Sequence, residues 1–206
     1  MSVDIKKATK EDIDFIAEMI LQSSRADKKL GYFDYIFESS NEDTTSKLKQ
    51  LILDETKCYC YYENFLIASV DNKNVGTLCA YEPRVATKEK FIKCLENLGC
   101  SENEINKVKR LDICDFDINN RTLMFDFLEE VQGYVDVGIL KALTQKSLLS
   151  ARLKGYRIAQ TIIEIGSLES KLFYEALGFK QIEQKECEVY KEIFGRNGVM
   201  LLSLEF

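Results

Sequence analysis

The chain of 206 residues contains no histidine and a single proline, Pro83. Without histidine, the chain cannot form Ser-His-Asp or Cys-His nucleophile systems, histidine-ligated zinc sites or histidine general bases. Any proton transfer must therefore use carboxylates, Tyr, Lys, Cys or water.

Long apolar runs are absent as well. No segment approaches the ~18 apolar residues that a membrane-spanning helix needs, and residues 1–25 lack the continuous apolar stretch of a secretory signal. The sequence shows no repeat, no low-complexity tract and no Pro/Ser-rich linker. With 46% hydrophobic and 30% charged residues, we expect one soluble globular domain over 1–206, with a helical insert at about 84–115.

The chain also lacks an excess of positive charge. Its 28 Lys and Arg face 34 Asp and Glu, for a formal net charge of −6. Nucleic-acid binding needs clustered Lys and Arg, so we expect no such partner. An acidic surface instead favours a cationic partner such as an amine.

The cysteines do not form a recognisable disulfide or metal framework. There are seven of them, an odd number, spread through a chain too large to need disulfides for stability. We therefore expect reduced thiols and a cytoplasmic protein. Cys58 and Cys60 are the one close pair, and no second pair completes a four-thiolate metal site. We expect these two side chains to share one face of a short strand.

The spacing of apolar residues predicts strands that alternate with helices, which favours a mixed α/β sheet. Thr9 and Asp12 have the spacing of a capping box and predict a helix start. An antiparallel hairpin is predicted from two apolar runs around a polar four-residue turn. The predicted strands are 3–7, 65–70, 75–81, 123–131, 158–165, 182–193 and 199–206, and the predicted helices after the first are 45–55, 88–98, 101–110, 138–154 and a short one through 173–179.

One stretch of the second half is the most informative. A strand at 123–131, a glycine-containing turn at 133–138 and a long amphipathic helix at 138–154 follow one another. The first amides of a helix have no partner within it, and the helix dipole adds partial positive charge at the same place. Such an arrangement is suited to hold a phosphorylated ligand.

Two sequence blocks beyond that turn resemble the end of a known family. Ala151-Arg152-Leu153-Lys154-Gly155-Tyr156 is followed, after a strand, by Leu172-Phe173-Tyr174-Glu175-Ala176-Leu177-Gly178-Phe179-Lys180. At this separation they are similar to the A-x-x-x-G-Y and L-Y-E-K-L-G-F blocks of the GNAT superfamily of N-acyltransferases. The resemblance is loose over 3–82 and closer over 122–180. It implies an α/β (α+β) fold with a mixed, mostly antiparallel central sheet of six to seven strands flanked by helices.

The resemblance also implies a cosubstrate. In that family the strand before the long helix diverges from its neighbour, and acyl-CoA lies in the wedge between them. Acetyl-CoA is therefore expected here, without a metal, with its pantetheine arm along 128–131 and its pyrophosphate on the turn and first helical amides. The residues that the resemblance assigns to cofactor binding are Leu128, Val131, Val137, Gly138, Ile139, Leu140, Lys141 and Ser167.

The phosphate turn departs from the family pattern R/Q-x-x-G-x-G/A. Only Gly138 is kept, with Val135 at the basic position and Leu140 at the last glycine. Backbone donors need no particular side chain, and Lys141 could replace the missing charge, whereas Asp136 would repel phosphate by ~0.3–1 kcal/mol if exposed. We expect weaker CoA affinity or a shifted pose. The alternative is that the turn is only a helix start with Asp136 as its N-cap.

For catalysis, the resemblance assigns Tyr174 as the donor of a proton to the departing sulfur. Alternatively, Tyr174 is a core residue beside Phe173. Glu129 and Glu130 are candidate bases at the strand end, and since neighbouring strand residues face opposite ways, at most one points at the acceptor. The alternative for both is a solvent-facing strand end. Ser167 stands where the family has an asparagine.

The function so implied is an N-acetyltransferase that moves an acetyl group from acetyl-CoA to a primary amine of a small molecule or peptide by direct attack. A non-catalytic acyl-CoA-binding or regulatory module on the same fold is the alternative, and an interaction domain without cofactor is a third. No membrane partner is expected, and a homodimer is allowed. The aromatic residues Tyr59, Tyr61, Tyr62 and Phe65 either line an acceptor pocket or belong to the core.

Overall fold

The computed structural model describes residues 3–118, 121–134 and 138–206. In these residues a single mixed sheet has the strand order β1-β2-β3-β4-β5-β7-β6. Of the described pairings, that of β4 with β5 alone is parallel, which confirms the mixed, mostly antiparallel sheet. The strands are β1 (Asp4–Lys7), β2 (Phe65–Val70), β3 (Lys73–Tyr81), β4 (Thr122–Glu130), β5 (Ile158–Glu164), β6 (Lys180–Glu186) and β7 (Gly198–Glu205).

Helices cover both faces of this sheet. Those described are α1 (Ile13–Arg25), α2 (Tyr32–Phe37), α3 (Asn41–Leu53), α4 (Lys88–Asn97), α5 (Glu102–Arg110), α6 (Ile139–Leu153), α7 (Leu168–Ala176) and α8 (Glu188–Phe194). None of these described helices is both long and apolar enough to cross a bilayer.

Two predicted helix starts have the capping geometry that the sequence indicates. The Thr9 amide donates to Asp12 Oδ2 at 2.9 Å and begins a short 3₁₀ helix that leads into α1. The Ser101 amide donates to Glu104 Oε2 at 2.7 Å and begins α5. Each bond satisfies a backbone donor at the helix start.

The sequence did not predict α2, which is set by tertiary contacts. Its N-cap is Gly31, whose amide donates to Asp34 Oδ2 at 2.9 Å. Arg25, at the end of α1, holds the same carboxylate with two bonds of 2.8 and 2.7 Å. A side chain at Gly31 would lie 2.5 Å from the Ser24 carbonyl oxygen, so only glycine lets the two helices meet this closely.

The predicted strand 182–193 is wrong in its second half. The strand β6 ends at Glu186, and α8 follows it. Val189, Tyr190, Ile193 and Phe194 have helical spacing and contact one small core that also contains Cys114 and Cys187. When an apolar run continues from a strand into a helix, the sequence alone does not show at which residue the spacing of apolar side chains changes from two to 3.6.

Two main cores lie on opposite faces of the sheet. The first core lies under α1, α2, α3 and α4, and its large buried members include Ile16, Ile20, Phe33, Leu48, Phe65, Phe91 and Phe127. The second core lies under α6 and α7, and its buried members include Val75, Leu78, Phe125, Ile139, Leu143, Tyr174 and Phe179. Because β3 and β4 contribute to both cores, they form the floor on which the candidate site is built.

The cysteines differ from both expectations drawn from the sequence. Cys58 and Cys60 lie in a turn, buried, and not on a strand. Cys114 and Cys187 form a disulfide bond, which corrects the expectation of reduced thiols throughout. This bond joins a 3₁₀ helix of the predicted insert to the N-cap of α8.

Candidate functional site

The central feature of the site is a fork between the two parallel strands. The register of β4 with β5 runs from Thr122 opposite Ile158 to Phe125 opposite Thr161. Beyond that point β4 continues to Glu130 beside β3, and β5 continues to Glu164 beside β7. The ends of the two strands therefore diverge and leave a wedge with unpaired strand edges on both sides.

A β-bulge in β4 lies at the start of this fork. The β3–β4 register shifts between Thr77 and Cys79, and Phe127 has a φ of 45°. Thr77 Oγ1 donates to the Phe127 carbonyl oxygen at 3.0 Å and holds the bulge. Bulges redirect side chains, and here Phe127 turns into the first core although Phe125, two residues earlier, belongs to the second.

Asp126 immediately precedes the bulge and was not singled out from the sequence. It lies opposite Cys79, on the first-core side of the sheet. Burial raises the pKa of Asp126 from its ordinary 3.8 to about 6. A hydrogen bond of 2.8 Å from the Phe127 amide acts in the opposite direction and lowers this pKa. None of the ion pairs between described residues includes Asp126, so a buried carboxylate stands at the fork without a cationic partner.

Tyr174 reaches the fork from the other face. Its side chain is 5% exposed and packs edge-on against Phe179 at 5.1 Å between ring centroids. Burial raises the pKa of Tyr174 above its ordinary value. A hydrogen bond with the side chain of Thr161 has the opposite, smaller effect on this pKa. Because Thr161 is the last β5 residue paired with β4, the phenol lies at the point where the strands part. Tyr174 is therefore a core residue whose phenol also lies at the fork.

Glu129 and Glu130 lie at the far end of β4. Burial raises the pKa of Glu129, partly offset by bonds from the Glu130 amide and the Gln22 side chain. Its Oε1 lies 3.1 Å from the Glu130 nitrogen, and Gln22 Nε2 donates to the Glu130 carbonyl oxygen at 3.1 Å. Glu130 is 9% exposed. The alternative of a solvent-facing strand end does not describe these residues, since Glu129 is partly buried and Glu130 is buried.

The backbone of β4 offers unequal positions for a pantetheine arm. Val131 donates its amide to the Val75 carbonyl at 2.8 Å and accepts from the Tyr134 amide at 3.3 Å. Its predicted contact with the cofactor would require one of these bonds to break. The Glu130 amide is bonded to the Glu129 carboxylate, a side chain that can move aside without a change in the backbone. Leu128 lies next to the bulge, partly buried in the second core.

The phosphate end of the site is the N-terminus of α6. Gly138 is the N-cap, with a φ of 78° and no capping side-chain bond. The next amides, those of Ile139, Leu140 and Lys141, have no partner earlier in the helix, and Lys141 is exposed. Val135, Asp136 and Val137 lie outside the described residues, so the predicted roles of Val137 as ligand and Asp136 as N-cap or repulsive charge remain predictions.

Close packing fixes this helix start against the sheet. Ile139 is fully buried, and a Cβ atom at Gly76 of β3 would lie 2.6 Å from Ile139 Cγ2. Gly76 therefore lets α6 approach β3, which brings its first amides to the open end of the wedge. Ser167 is the N-cap of α7 without a capping side-chain bond, and its amide donates to the Glu164 carbonyl at 3.2 Å.

This arrangement combines the parts that an acyl transfer needs. One end of the wedge presents helix amides for a pyrophosphate, the β4 edge presents backbone groups for an extended arm, and the fork presents a carboxylate and a phenol from opposite faces. Among the described residues, no group of three or more Cys, Asp or Glu is arranged to hold a metal ion. Sequence reasoning missed Asp126, although a lone carboxylate inside an apolar strand is a visible signal.

The chain has the fold of the GNAT N-acetyltransferases. It is similar to an N-acetyltransferase from Staphylococcus aureus Mu50 at 16% identity and a TM-score of 0.72, covering 98% of this chain and 100% of that one. An acetyltransferase of the GNAT family from the same strain matches at 12% identity and a TM-score of 0.57, covering 99% of each chain. The PaiA N-acetyltransferase from Thermoplasma acidophilum, in complex with coenzyme A, matches at 15% identity and 0.57, covering 100% of both. No family model matches the sequence, and no curated protein matches it significantly.

Proposed function

We propose that this protein is an N-acetyltransferase that transfers an acetyl group from acetyl-CoA to a primary amine. The observation that supports this most strongly is the fork at Phe125 and Thr161, which brings Asp126 and Tyr174 to one point from opposite faces of the sheet. The fold is that of N-acetyltransferases, and one of the similar structures is a complex with coenzyme A.

In this proposal the cofactor lies along the wedge. The amides of Ile139, Leu140 and Lys141 bind the pyrophosphate, with Lys141 supplying the positive charge that the turn otherwise lacks. The pantetheine arm pairs with the β4 edge at Leu128 and Glu130, where an acyl or amide oxygen replaces the Glu129 carboxylate on the Glu130 amide. Ser167, with its hydroxyl not used for capping, lies near the open end of β5 and contacts the arm.

The reaction is a direct attack. Asp126, with a pKa near 6, accepts a proton from the ammonium directly or through a water. The amine nitrogen then attacks the thioester carbonyl, and backbone N–H groups stabilise the oxyanion. The C–S bond breaks as Tyr174 gives its proton to the departing sulfur, and the second N–H proton of the tetrahedral intermediate passes through water to the Tyr174 phenolate. Glu129 and Glu130 stay candidates for the base, since burial also raises the pKa of Glu129.

Thermal unfolding with CoA and with acetyl-CoA tests the cofactor part of this proposal. Both should raise the melting temperature, and Gly138→Glu should weaken binding about tenfold, since it strains the backbone and places a negative charge beside the phosphates. Gly155→Glu is the matched control, because Gly155 also has a positive φ, of 88°, and open space around it, but follows the other end of α6. No shift with either cofactor would reject the proposal.

A thiol-release assay over a panel of amines tests the transfer itself. Release that depends on the amine supports an enzyme. Cofactor binding without release for any amine would reject the enzyme and favour the non-catalytic acyl-CoA binder.

A further inference from the structure

The proposed acceptor side of the fork is lined by tyrosines. Tyr59 of the loop before β2 lies 5.5 Å from Tyr81 of β3, 4.8 Å from Phe91 of α4 and 6.2 Å from Phe127, between ring centroids. Tyr32 of α2 lies 6.4 Å from Phe91 and is hydrogen-bonded to Tyr59. These rings come from separate elements and converge on the first-core side of β4, where Asp126 lies.

The three tyrosines pack against the first core without being sealed in it, and their open edges define the cleft of this proposal. Tyr32, Tyr59 and Tyr81 each keep some surface open to water, although burial is the main cause that raises the pKa of every one of them. Asp126 combines the same two properties. Groups that are deeply surrounded yet still touched by water lie along a narrow opening.

Asp126 is the carboxylate of this cleft that has no cation as a partner among the described residues. Asp126 interacts electrostatically with both Tyr59 and Tyr81, and no cation among the described residues pairs with it. The other carboxylates that act on Tyr32 are Asp112 and Asp115, and Lys88 pairs with both. The cleft therefore suits one positive charge, placed at its inner end.

The side of the cleft that faces α8 is closed. Tyr190 of α8 donates to Glu164 Oε1 at 3.0 Å, and Lys28, after α1, pairs with the same carboxylate. Phe194 packs edge-on against Tyr35 of α2 at 5.8 Å. The disulfide bond from Cys187 adds a covalent link to the insert. These contacts join α1, α2, α8 and the insert on this side of the cleft.

On the basis of the proposed acetyl transfer, we propose that the acceptor is a small primary amine with one positive charge and an aromatic tail. Its ammonium lies at Asp126, and its ring packs among Tyr32, Tyr59 and Tyr81. The ammonium gives one proton to Asp126, and its nitrogen forms the new N–C bond. The C–S bond of acetyl-CoA then breaks with a proton from Tyr174 to the sulfur, and the second proton on nitrogen passes through water to the Tyr174 phenolate.

Calorimetric titration without acyl-CoA tests the cleft directly. The probes are 2-phenylethylamine, hexylamine, spermidine and tetraalanine with a free N-terminus. We expect 2-phenylethylamine to bind about tenfold more tightly than hexylamine, because only its ring gains the aromatic contacts. Equal or tighter binding of hexylamine, spermidine or the peptide would overturn the inference.

Two variants locate the binding. Tyr81→Leu keeps an apolar side chain but removes a ring, so the preference for 2-phenylethylamine over hexylamine should fall by about tenfold. Tyr62→Leu, the same substitution in the 3₁₀ helix before β2, should leave that preference unchanged. If Tyr81→Leu does not fold, Asp126→Asn provides the test, since it keeps the side-chain shape and should weaken both monoamines together. An unchanged affinity in Asp126→Asn would overturn the inference.

Thiol release over the same four probes separates this inference from the proposed function. Acetylation of spermidine or the peptide, with no binding of 2-phenylethylamine, would overturn the acceptor class and leave the transferase intact. Selective binding of 2-phenylethylamine with no release for any amine would uphold the cleft and reject the transferase.

Discussion

At the scale of single residues, Asp126 and Tyr174 differ in how the structure perturbs them. Asp126 has no cationic partner among the described residues, and burial raises the pKa of its carboxyl to about 6. Tyr174 is held by packing and by Thr161, so its phenol stays protonated through neutral pH. A base that is half ionised near pH 6 and an acid that keeps its proton are suited to opposite ends of one reaction.

The pH dependence of kcat/KM tests the role of Asp126. We expect kcat/KM to rise with pH through about 6, because only the ionised carboxylate accepts a proton. The side chains that interact with it are Cys60, Cys79, Tyr59, Tyr81, Tyr174 and Tyr190, and these thiols and phenols are neutral near pH 6.

Asp126→Asn should remove this rise of kcat/KM with pH and lower kcat/KM by ~10²-fold or more. Glu129→Gln is the comparison variant, and its kcat/KM should still rise with pH through about 6. If the rise of kcat/KM with pH disappears in Glu129→Gln and persists in Asp126→Asn, Glu129 and not Asp126 is the base.

The same carboxyl makes a prediction for stability. Since its pKa in the folded protein is about 6 and its ordinary value is 3.8, the folded state binds the proton more tightly than the unfolded state. Stability is therefore lost as pH rises from about 4 to about 6, and the loss is complete above that range. Urea unfolding at pH 8 should show Asp126→Asn more stable by on the order of 2 kcal/mol, with no gain at pH 4. A variant that is less stable at pH 8 would contradict this.

The variant Tyr174→Phe tests whether Tyr174 acts as the general acid. The ring stays in place among Phe173 and Phe179, so the fold and the KM for acetyl-CoA should change little, while kcat should fall by ~10²-fold. Tyr62→Phe removes a phenol oxygen away from the fork and should leave both constants unchanged. Steady-state kinetics of the two variants decide the matter; an equal kcat for Tyr174→Phe and the wild type would make Tyr174 a core residue only.

At the scale of elements, the position of α6 depends on one close contact with the sheet. A methyl group at Gly76 would meet Ile139 Cγ2 at 2.6 Å, so Gly76→Ala should push the start of α6 outward. We expect acetyl-CoA affinity to fall by about tenfold, with ~1–3 kcal/mol lost from stability by overpacking.

The double variant Gly76→Ala with Ile139→Leu tests whether this contact is the cause. Leucine lacks the γ2 methyl that would clash, so the second change should restore part of the affinity, as measured by titration calorimetry. If Ile139→Leu fails to restore any affinity to Gly76→Ala, the contact does not position the helix.

The link between the insert and α8 makes a second prediction at this scale. Cys114 and Cys187 are 73 residues apart in sequence, and closing a loop of that length contributes about 2–4 kcal/mol. The double variant Cys114→Ser with Cys187→Ser should lose stability of this order in urea unfolding, and a reductant should have the same effect on the wild type. Cys100→Ser, at a free thiol, is the control. Equal stability of the double variant and the control would contradict the link.

An element could be predicted from the sequence when the residues that define it are close to it along the chain. Capping residues and turn glycines act locally, so the starts of α1 and α5 and the β2–β3 hairpin could be predicted from the sequence. The helix α2 depends on a pair between Arg25 and Asp34, and α8 continues an apolar run with a change of period. Tertiary contacts decide both, and a single sequence does not show them.

At the scale of the whole molecule, the sheet order explains why the site residues are scattered along the sequence. The parallel pair β4–β5 splits in the middle of the sheet, and both helix layers and the insert contribute to what surrounds the split. The sequence suggests the proposed roles of Tyr174 and Gly138 because both lie in recognisable local motifs. Asp126 and Tyr81 could not, because their roles depend on the bulge at Phe127 and on the cleft that separate segments form.

The central claim is that acetyl groups pass from acetyl-CoA to an amine at this fork. Mass spectrometry of the amine product, with thiol release measured on the same sample, tests it most directly. We expect one acetylated amine for each CoA released with 2-phenylethylamine, and a loss of both signals in Asp126→Asn. Thiol release without acetylated amine, or equal product from Asp126→Asn and the wild type, would contradict the claim.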